Sequence, residues 1–483
     1  MTSSNWWSSS ENVNSNNAWN VNFGGGNSNN NNKYNTNRVR AVVALDDRER
    51  VSVMEAYDSC LRHKMGSNDC IMFRIHPERL IELALEVKQR RYEPDVSTTF
   101  IVTRPKLREI FAAHFRDRIV QHWIFLRLNP LFEERFRAMG DVSYNCRKGF
   151  GTIAARKELC RQMHKYGFGG SLYVGKFDIA SYFMSIDLDV LWERLEPFIE
   201  EHYQGDDKEL LMYLTKITVF HRPQDKCVRK GNLDLWGELP KSKSLFGKDR
   251  HTGMAIGNLT TQMLCNFYLS FFDEWMLRQI AAMGYQEPAE HYDRFVDDFI
   301  NHSMVVEHIT LLHREADQWL KENLHLTLHP TKVYIQPQHH GVQYVGGVIM
   351  PGRTYIINRT VGAMTDKARE ADLLCRVIAE HGATAGRLAR LQHITSSLNS
   401  YSGFLRHGAT YNIQKRMLLT LQWFWKVCYT RGNLNVVCLH VPYRLKGFLL
   451  EEEERDRRIV QSMQLRRHGS LPDEHYLRRA RIW

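Results

Sequence analysis

The sequence predicts an α+β fold, and three observations carry that prediction. Two short apolar runs rich in strand-forming residues each hold carboxylates: Lys176-Phe177-Asp178-Ile179 and Arg294-Phe295-Val296-Asp297-Asp298-Phe299-Ile300. The second reads as a β-hairpin with Asp297 and Asp298 at its turn, and the first as a strand from 171 to 179 that ends at Asp178 and passes into a helix. Helical periodicity precedes them: Val51, Met54, Tyr57 and Leu61 recur at helical spacing after a capping Asp46 or Asp47, and His76-Pro77 starts a second helix running to about Arg91. From Thr360 onward the pattern is helical again, with Leu388, Leu391, Ile394 and Leu398 on one face and Tyr401, Phe404 and Leu405 continuing the stripe.

Carboxylates beside apolar strands are costly unless something positive pairs with them. A pair of divalent metal ions meets that need, and such a pair can stabilise both the attacking and the leaving oxygen of an in-line displacement. An Asp-Asp pair on its own is more often a solvated turn or a cap, so the surroundings decide. Between the clusters lies Gly253-Met254-Ala255-Ile256-Gly257-Asn258-Leu259-Thr260-Thr261-Gln262, followed by an apolar stretch from Met263 to Phe272. It reads as a glycine-bounded loop entering an amphipathic helix, with Gly257 allowing close backbone approach.

Asp178 with Phe183 five residues on, then Ile-Gly-x-x-x-Thr-Gln, then Phe-Val-Asp-Asp, resemble motifs A, B and C of a reverse transcriptase palm in order and spacing. Upstream, Lys106 to Ile110 with Asp117 to His122, and Asn145-Cys146-Arg147-Lys148-Gly149-Phe150-Gly151-Thr152, resemble the two fingers motifs. Downstream, Leu326 to Lys332 resembles motif D, and Gln343-Tyr344-Val345-Gly346-Gly347 resembles the primer-grip hairpin, motif E. The match covers roughly residues 100 to 350. Ile256 stands where most reverse transcriptases carry Gln, and Thr261-Gln262 stands near where they carry Ser-Pro. That combination is similar to the reverse transcriptases of diversity-generating retroelements, with Thr261 in place of Ser and Phe295 in place of a common Tyr as mild departures.

The resemblance implies a right-hand polymerase fold of fingers, palm and helical thumb. It divides the chain into an Asn/Ser/Gly-rich tail (1–40), N-terminal helices and fingers (46–170), palm (171–350), thumb (351–445) and a charged tail (446–483). It implies two Mg²⁺ ions, with Mn²⁺ able to substitute, on Asp178, Asp297 and Asp298, helped by the backbone carbonyl of Phe177 or Ile179. Arg147 and Lys148 would hold the incoming triphosphate, Phe183 would stack under its sugar, and Gln262 and Lys332 would complete the dNTP site. Ile256, Gly257, Asn258, Tyr344 and Gly346 would contact template or primer, Ile256 loosening selection opposite template adenines. The implied partners are an RNA template, a DNA or RNA primer, dNTPs and a small basic accessory protein.

Bulk properties agree with a nucleic-acid enzyme. The 483 residues suffice for two or three domains, and 65 Lys and Arg against 54 Asp and Glu give a net charge of +11, which favours phosphate backbones. Nine cysteines are scattered without a C-x-x-C pair, so neither a zinc site nor a disulfide framework is indicated. The polar N-terminus lacks a signal-like apolar core and no run is long enough to cross a bilayer, so the expected location is cytoplasmic, without a membrane. The Asn-rich tail is expected to be disordered. By the resemblance it is similar to the end of a variable repeat, since asparagine codons are adenine-rich, so the frame is expected to begin inside or beside a template repeat. The basic insertion from 221 to 250 is expected to be a solvated loop. Two alternatives stand beside this reading: a reverse transcriptase of a defence or intron-related lineage, and a non-catalytic RNA-binding scaffold, against which the three retained carboxylates argue.

Overall fold

The structure is a computed structural model that describes residues 5–11, 17–22, 27–32, 47–61, 68–76, 78–103, 106–168, 170 and 172–445. The charged segment 446–483 lies outside the described residues. The chain divides into two compact units: Met1–Gly151 with Tyr173–Gln336, and Thr152–Leu172 with Pro337–Trp483. The expected fingers and most of the expected palm thus share the first unit, while 152–172 and 337–350 belong to the second. In the Asn-rich segment, where composition alone predicts disorder, the backbone forms an antiparallel meander of Asn5–Glu11, Asn17–Asn22 and Asn27–Asn32.

The first unit is built around helix Leu259–Ala282. Its sequence is apolar nearly all round, and every residue from Met263 to Ser270 is buried, so it forms the core axis rather than a one-faced amphipathic helix. Helix Phe115–Ala138 packs against it, with Phe132 and Phe267 stacked at 4.5 Å. The N-terminal helix Asp47–Leu61 lies on Phe115–Ala138 and turns Val53, Ala56 and Cys60 inward, leaving Met54, Tyr57 and Leu61 half-buried. The buried stripe is therefore one residue out of step with the expected one.

One sheet of this unit has the strand order Tyr334–Pro337, Tyr173–Asp178, Asp298–Ser303, Tyr292–Phe295. A second sheet pairs Ser97–Val102 antiparallel with Arg108–Ala112 and parallel with Cys227–Arg229. That third strand comes from the basic insertion, which is thus anchored to the sheet at Cys227–Arg229, while residues such as 230–234 and 240–243 remain solvated as expected. Buried Glu109 secures it: its carboxylate accepts from Trp236 Nε1 (2.8 Å), Ser244 Oγ (3.0 Å) and the Leu245 amide (2.8 Å). Isolated surface charges would not have revealed this, because the partner is an acid on a distant strand.

In the second unit, helices Asn358–His381 and Ala385–Leu405 pack face to face. Met364, Ala368, Ala371, Cys375 and Ile378 meet Leu388, Leu391, Ile394 and Leu398, the stripe read from the sequence. Thr384 caps the second helix, its Oγ1 accepting the Arg387 amide at 3.3 Å. Beside them are a meander of Val342–Tyr344, Gly347–Met350 and Arg353–Ile356, helix Thr152–Tyr166 packed on that meander, and a hairpin of Cys428–Arg431 with Val436–Leu439. Among the described residues no helix is long and apolar enough to cross a membrane.

Candidate active site

Side chains alternate across a strand, so one face of the Tyr173–Asp178/Asp298–Ser303 pair is apolar and the other carries the acids. Phe177 and Phe299 are cross-strand partners with rings 5.2 Å apart, packed on Phe272 of the core helix. One residue on, Asp178 stands directly opposite Asp298. Asp297 occupies the two-residue turn between Phe295 and Asp298, and its carbonyl accepts the Ile179 amide at 3.0 Å. Three carboxylates from segments far apart in sequence are thereby brought to one end of the sheet.

The charges crowd one another. The Asp297 carboxyl is pushed up to about 6 by burial and by the neighbouring Asp178 and Asp298. Asp298 is also raised by burial, with Lys176 opposing the shift. Two lysines meet the charge: Lys332 Nζ lies 2.7 Å from Asp178 Oδ1, and Lys176 Nζ 3.2 Å from Asp298 Oδ1. The donor set is all carboxylate with negative charge in surplus, which fits a hard divalent cation such as Mg²⁺ or Mn²⁺. With the side chains turned to these lysines, no three His, Cys, Asp or Glu among the described residues are gathered at ion-holding geometry.

The turn carrying Asp297 is strained. Val296 sits at φ +60, where a two-residue hairpin turn normally takes glycine and a β-branched residue is an outlier. Such strain persists only where surrounding contacts over-determine it. Here the Val296 amide donates to Asn145 Oδ1 at 2.9 Å, and its carbonyl accepts from Arg294 Nη1 at 3.1 Å. Arg294 is fully buried and forks onto Asp273, Nε to Oδ1 and Nη2 to Oδ2 both at 2.6 Å. Burial works against its charge, but the Asp273 carboxylate holds the guanidinium protonated above its ordinary range. Asn266 Oδ1 joins the network from Arg294 Nη2 (3.0 Å) and Ser143 Oγ (2.7 Å), and Tyr292 donates to Asp273.

Sequence reasoning did not single out Asn145, Asn266, Asp273 or Arg294 for this role. Their one sequence signal is polarity inside otherwise apolar segments, which does not say who pairs with whom.

Among the other expected residues, Phe183 lies half-buried on the short helix Tyr182–Ser185, its carbonyl accepting the Met254 amide at 2.7 Å. This ties the strand-to-helix turn after Asp178 to the loop before the core helix. Ile179 is buried in the bridge to Leu328, and Ala180 donates to the Thr327 carbonyl at 2.9 Å, so the motif D segment runs alongside. Gln262 is exposed on the first turn of the core helix, and Lys148 is exposed beside Gly149.

Four of the expected residues make other contacts within the fold. Arg147 is buried and held by Glu133 (3.0 Å), Asp141 (2.5 Å) and the Ser143 carbonyl (2.9 Å), so its fork is spent on bracing its own loop rather than presented to a triphosphate. Asn258 turns its Oδ1 to the Ala113 amide at 3.4 Å and is buried, so it faces the segment after strand Arg108–Ala112 instead of a nucleic acid. Gly257, at φ +123, does serve a close approach, but to Phe111: a Cβ there would lie 2.6 Å from the Phe111 carbonyl oxygen, and the Phe111 amide bonds half-buried Ile256 at 2.8 Å. Tyr344 is fully buried in the second unit and does not offer its ring to a primer, whereas Gly346 stands at the hairpin turn, at φ +84.

No family model and no curated protein sequence matches the chain. Among solved structures it is similar to Candida tropicalis telomerase truncated from its C-terminal domain, with TM-score 0.38 and 14% identity over 55% of this chain and 56% of that one. It is also similar to Candida albicans telomerase in complex with a fragment of telomeric RNA (TM-score 0.37, 13% identity, 67% of this chain and 58% of that one). A third likeness is to apo telomerase from Candida tropicalis (TM-score 0.37, 12% identity, 71% and 66%). The chain spans less than two thirds of the length of each, and likenesses at these scores assign neither family nor activity.

Proposed function

We propose that this chain is an RNA-directed DNA polymerase that extends a primer along an RNA template, a reverse transcriptase of the diversity-generating retroelement type. The observation that carries the reading is the register that sets Asp178 opposite Asp298, with Asp297 between them at a braced turn. Carboxylates so buried, and so crowded by one another, that one is lifted to about 6 are unstable decoration but suitable ligands. Asp178, Asp297 and Asp298, with the Ile179 carbonyl, would hold two Mg²⁺ ions. Bound there, the ions would supply Lewis-acid stabilisation of the attacking hydroxyl and of the leaving pyrophosphate.

The rest is positioning by the protein's own groups. Lys176 and Lys332 neutralise the outer carboxylates and keep the site assembled. Lys148 and Gln262 are exposed and available to a dNTP, and Phe183 is the aromatic proposed beneath its sugar. Gly346 is the hairpin turn proposed to meet the primer. The retroelement assignment rests on Ile256-Gly257 and Thr261-Gln262, and the small basic accessory protein and cytoplasmic location belong to it.

The test is Mg²⁺-dependent primer extension on an RNA template by the native chain and by Asp297→Ala, with the cDNA sequenced. Product that vanishes in the variant, with errors concentrated opposite adenine, supports the whole reading. Evenly spread errors keep the polymerase and favour another bacterial lineage. Failure of both proteins with element RNA and accessory protein supplied would leave an RNA-binding scaffold.

A further inference from the structure

Arg156, on helix Thr152–Tyr166 of the second unit, has no role in the chemistry above. It is 2% exposed, and its Nη1 and Nη2 make no hydrogen bond. Only Nε is satisfied, by the Thr152 carbonyl at 3.2 Å, while the guanidinium lies 4.4 Å over the Phe404 ring. The side chain threads past the hairpin turn so closely that a Cβ on Gly347 would sit 2.7 Å from its Cδ. A buried guanidinium with its fork empty is among the most expensive things a fold can keep. A stacked ring offsets a small part of that cost.

The surroundings add charge of the same sign. His407 is held below its usual range by burial and by nearby Arg406, Lys157 and Arg156. Lys157 and Arg406 are exposed, and neither they nor Arg156 has an ion-pair partner among the described residues. A water could satisfy the empty fork, and solvent reaches Lys157 and Arg406, but neither supplies the opposite charge that this cluster of cations attracts. An anion with several acceptor oxygens satisfies both.

We propose that Arg156, with Lys157, Arg406 and His407, forms a phosphate-binding corner that captures the backbone of a nucleic-acid strand. Free phosphate offers the same oxyanion chemistry. The strand is the better fit because Lys157 and Arg406 extend the charge to the surface, where consecutive phosphates would lie. The half-buried Phe404 ring lies 4.4 Å over the fork, so the proposal requires that ring to turn aside for a phosphate oxygen to reach it. The strand's identity as primer–template rests on the polymerase reading; the phosphate corner does not.

The test measures binding of a labelled RNA–DNA primer–template to the full chain by fluorescence anisotropy across a salt series. EDTA is present, so capture is read apart from polymerisation. Arg156→Met keeps the aliphatic stem over Phe404 and removes the empty fork. Its melting temperature should equal or exceed the native one, while affinity falls about tenfold and the salt slope drops by about one. Arg156→Lys should recover part of the affinity, and Lys157→Gln with Arg406→Gln should lower the slope further. Arg156→Met that melts lower with an unchanged slope would make Arg156 a structural strut and overturn the proposal. So would a slope that responds to Lys157 and Arg406 but not to Arg156. Inorganic phosphate that raises the native melting temperature but not that of Arg156→Met, with strand binding unaffected in the variant, would assign the corner to a free anion and overturn the strand.

Discussion

Asn145 Oδ1 accepts the Val296 amide at 2.9 Å, tying the loop after helix Phe115–Ala138 to the turn that carries Asp297. A residue more than a hundred positions upstream therefore sets the backbone of the carboxylate hairpin. Without it, the positive φ of Val296 has one brace fewer, and a half-buried amide loses its acceptor.

Asn145→Ala should cost about 1–3 kcal/mol in urea unfolding. It should lower the turnover of primer extension by roughly 10–100-fold with a smaller change in KM, because Asp297 is misaimed rather than removed. A variant as stable and active as the native chain would show that the turn holds itself.

Arg294 and Asp273 form a fully buried pair, and breaking it leaves an uncompensated charge. Arg294→Met or Asp273→Asn alone should lose about 3–5 kcal/mol, whereas Arg294→Met with Asp273→Leu should recover much of it. Additive losses in the double variant would mean that each residue matters through other contacts.

The Asp297 carboxyl is pushed up to about 6 in the fold, against an ordinary 3.8. The folded state thus holds its proton more tightly than the unfolded chain, so the penalty is complete above pH 6 and is relieved as pH falls toward 4. In EDTA, stability should rise by on the order of 1–3 kcal/mol between pH 7 and pH 4. Asp297→Asn should be flatter across that window and more stable at pH 7. The same slope in the variant would remove Asp297 as the cause.

Mg²⁺ should raise the melting temperature of the native chain in a concentration-dependent way, since an ion that binds only the folded state stabilises it by mass action. Asp178→Ala and Asp297→Ala should abolish the shift. Lys176→Met, which removes a competing cation from Asp298, should move the shift to lower Mg²⁺ concentration. Equal shifts in native and Asp297→Ala protein would place the ion elsewhere.

Glu109 collects three donors from the basic insertion. Glu109→Ala should free residues 221–250 to proteolysis and cost roughly 2–4 kcal/mol, as buried donors lose a charged acceptor. Cleavage no faster than in the native chain would mean that strand Cys227–Arg229 holds the insertion unaided.

The strand ending at Asp178, the hairpin at Asp297 and Asp298 and the Leu388–Leu398 stripe were legible because their signals are local. Strand preference, turn length and a repeat near four residues are properties of neighbouring positions. Basic residues were legible as charge but misread as to use. Arg147 carries the same charge as Lys148, yet only the fold reveals that Glu133 and Asp141 claim it. Likewise Asn258 and Gly257 were rightly noticed as special, but what they approach is the strand ending in Phe111 and Ala112 and the amide beyond it.

By itself the sequence determined that three carboxylates stand at strand ends in the middle of the chain and that an apolar helix separates their motifs. The tertiary structure decided that Asp178 faces Asp298, that Lys176 and Lys332 neutralise the outer acids, and that Asn145 and Arg294 brace Val296. The physical reason is distance along the chain. Periodicity encodes which way a side chain points, but a hydrogen bond between residues separated by more than a hundred positions is chosen only when the core closes and each buried polar group must find a partner.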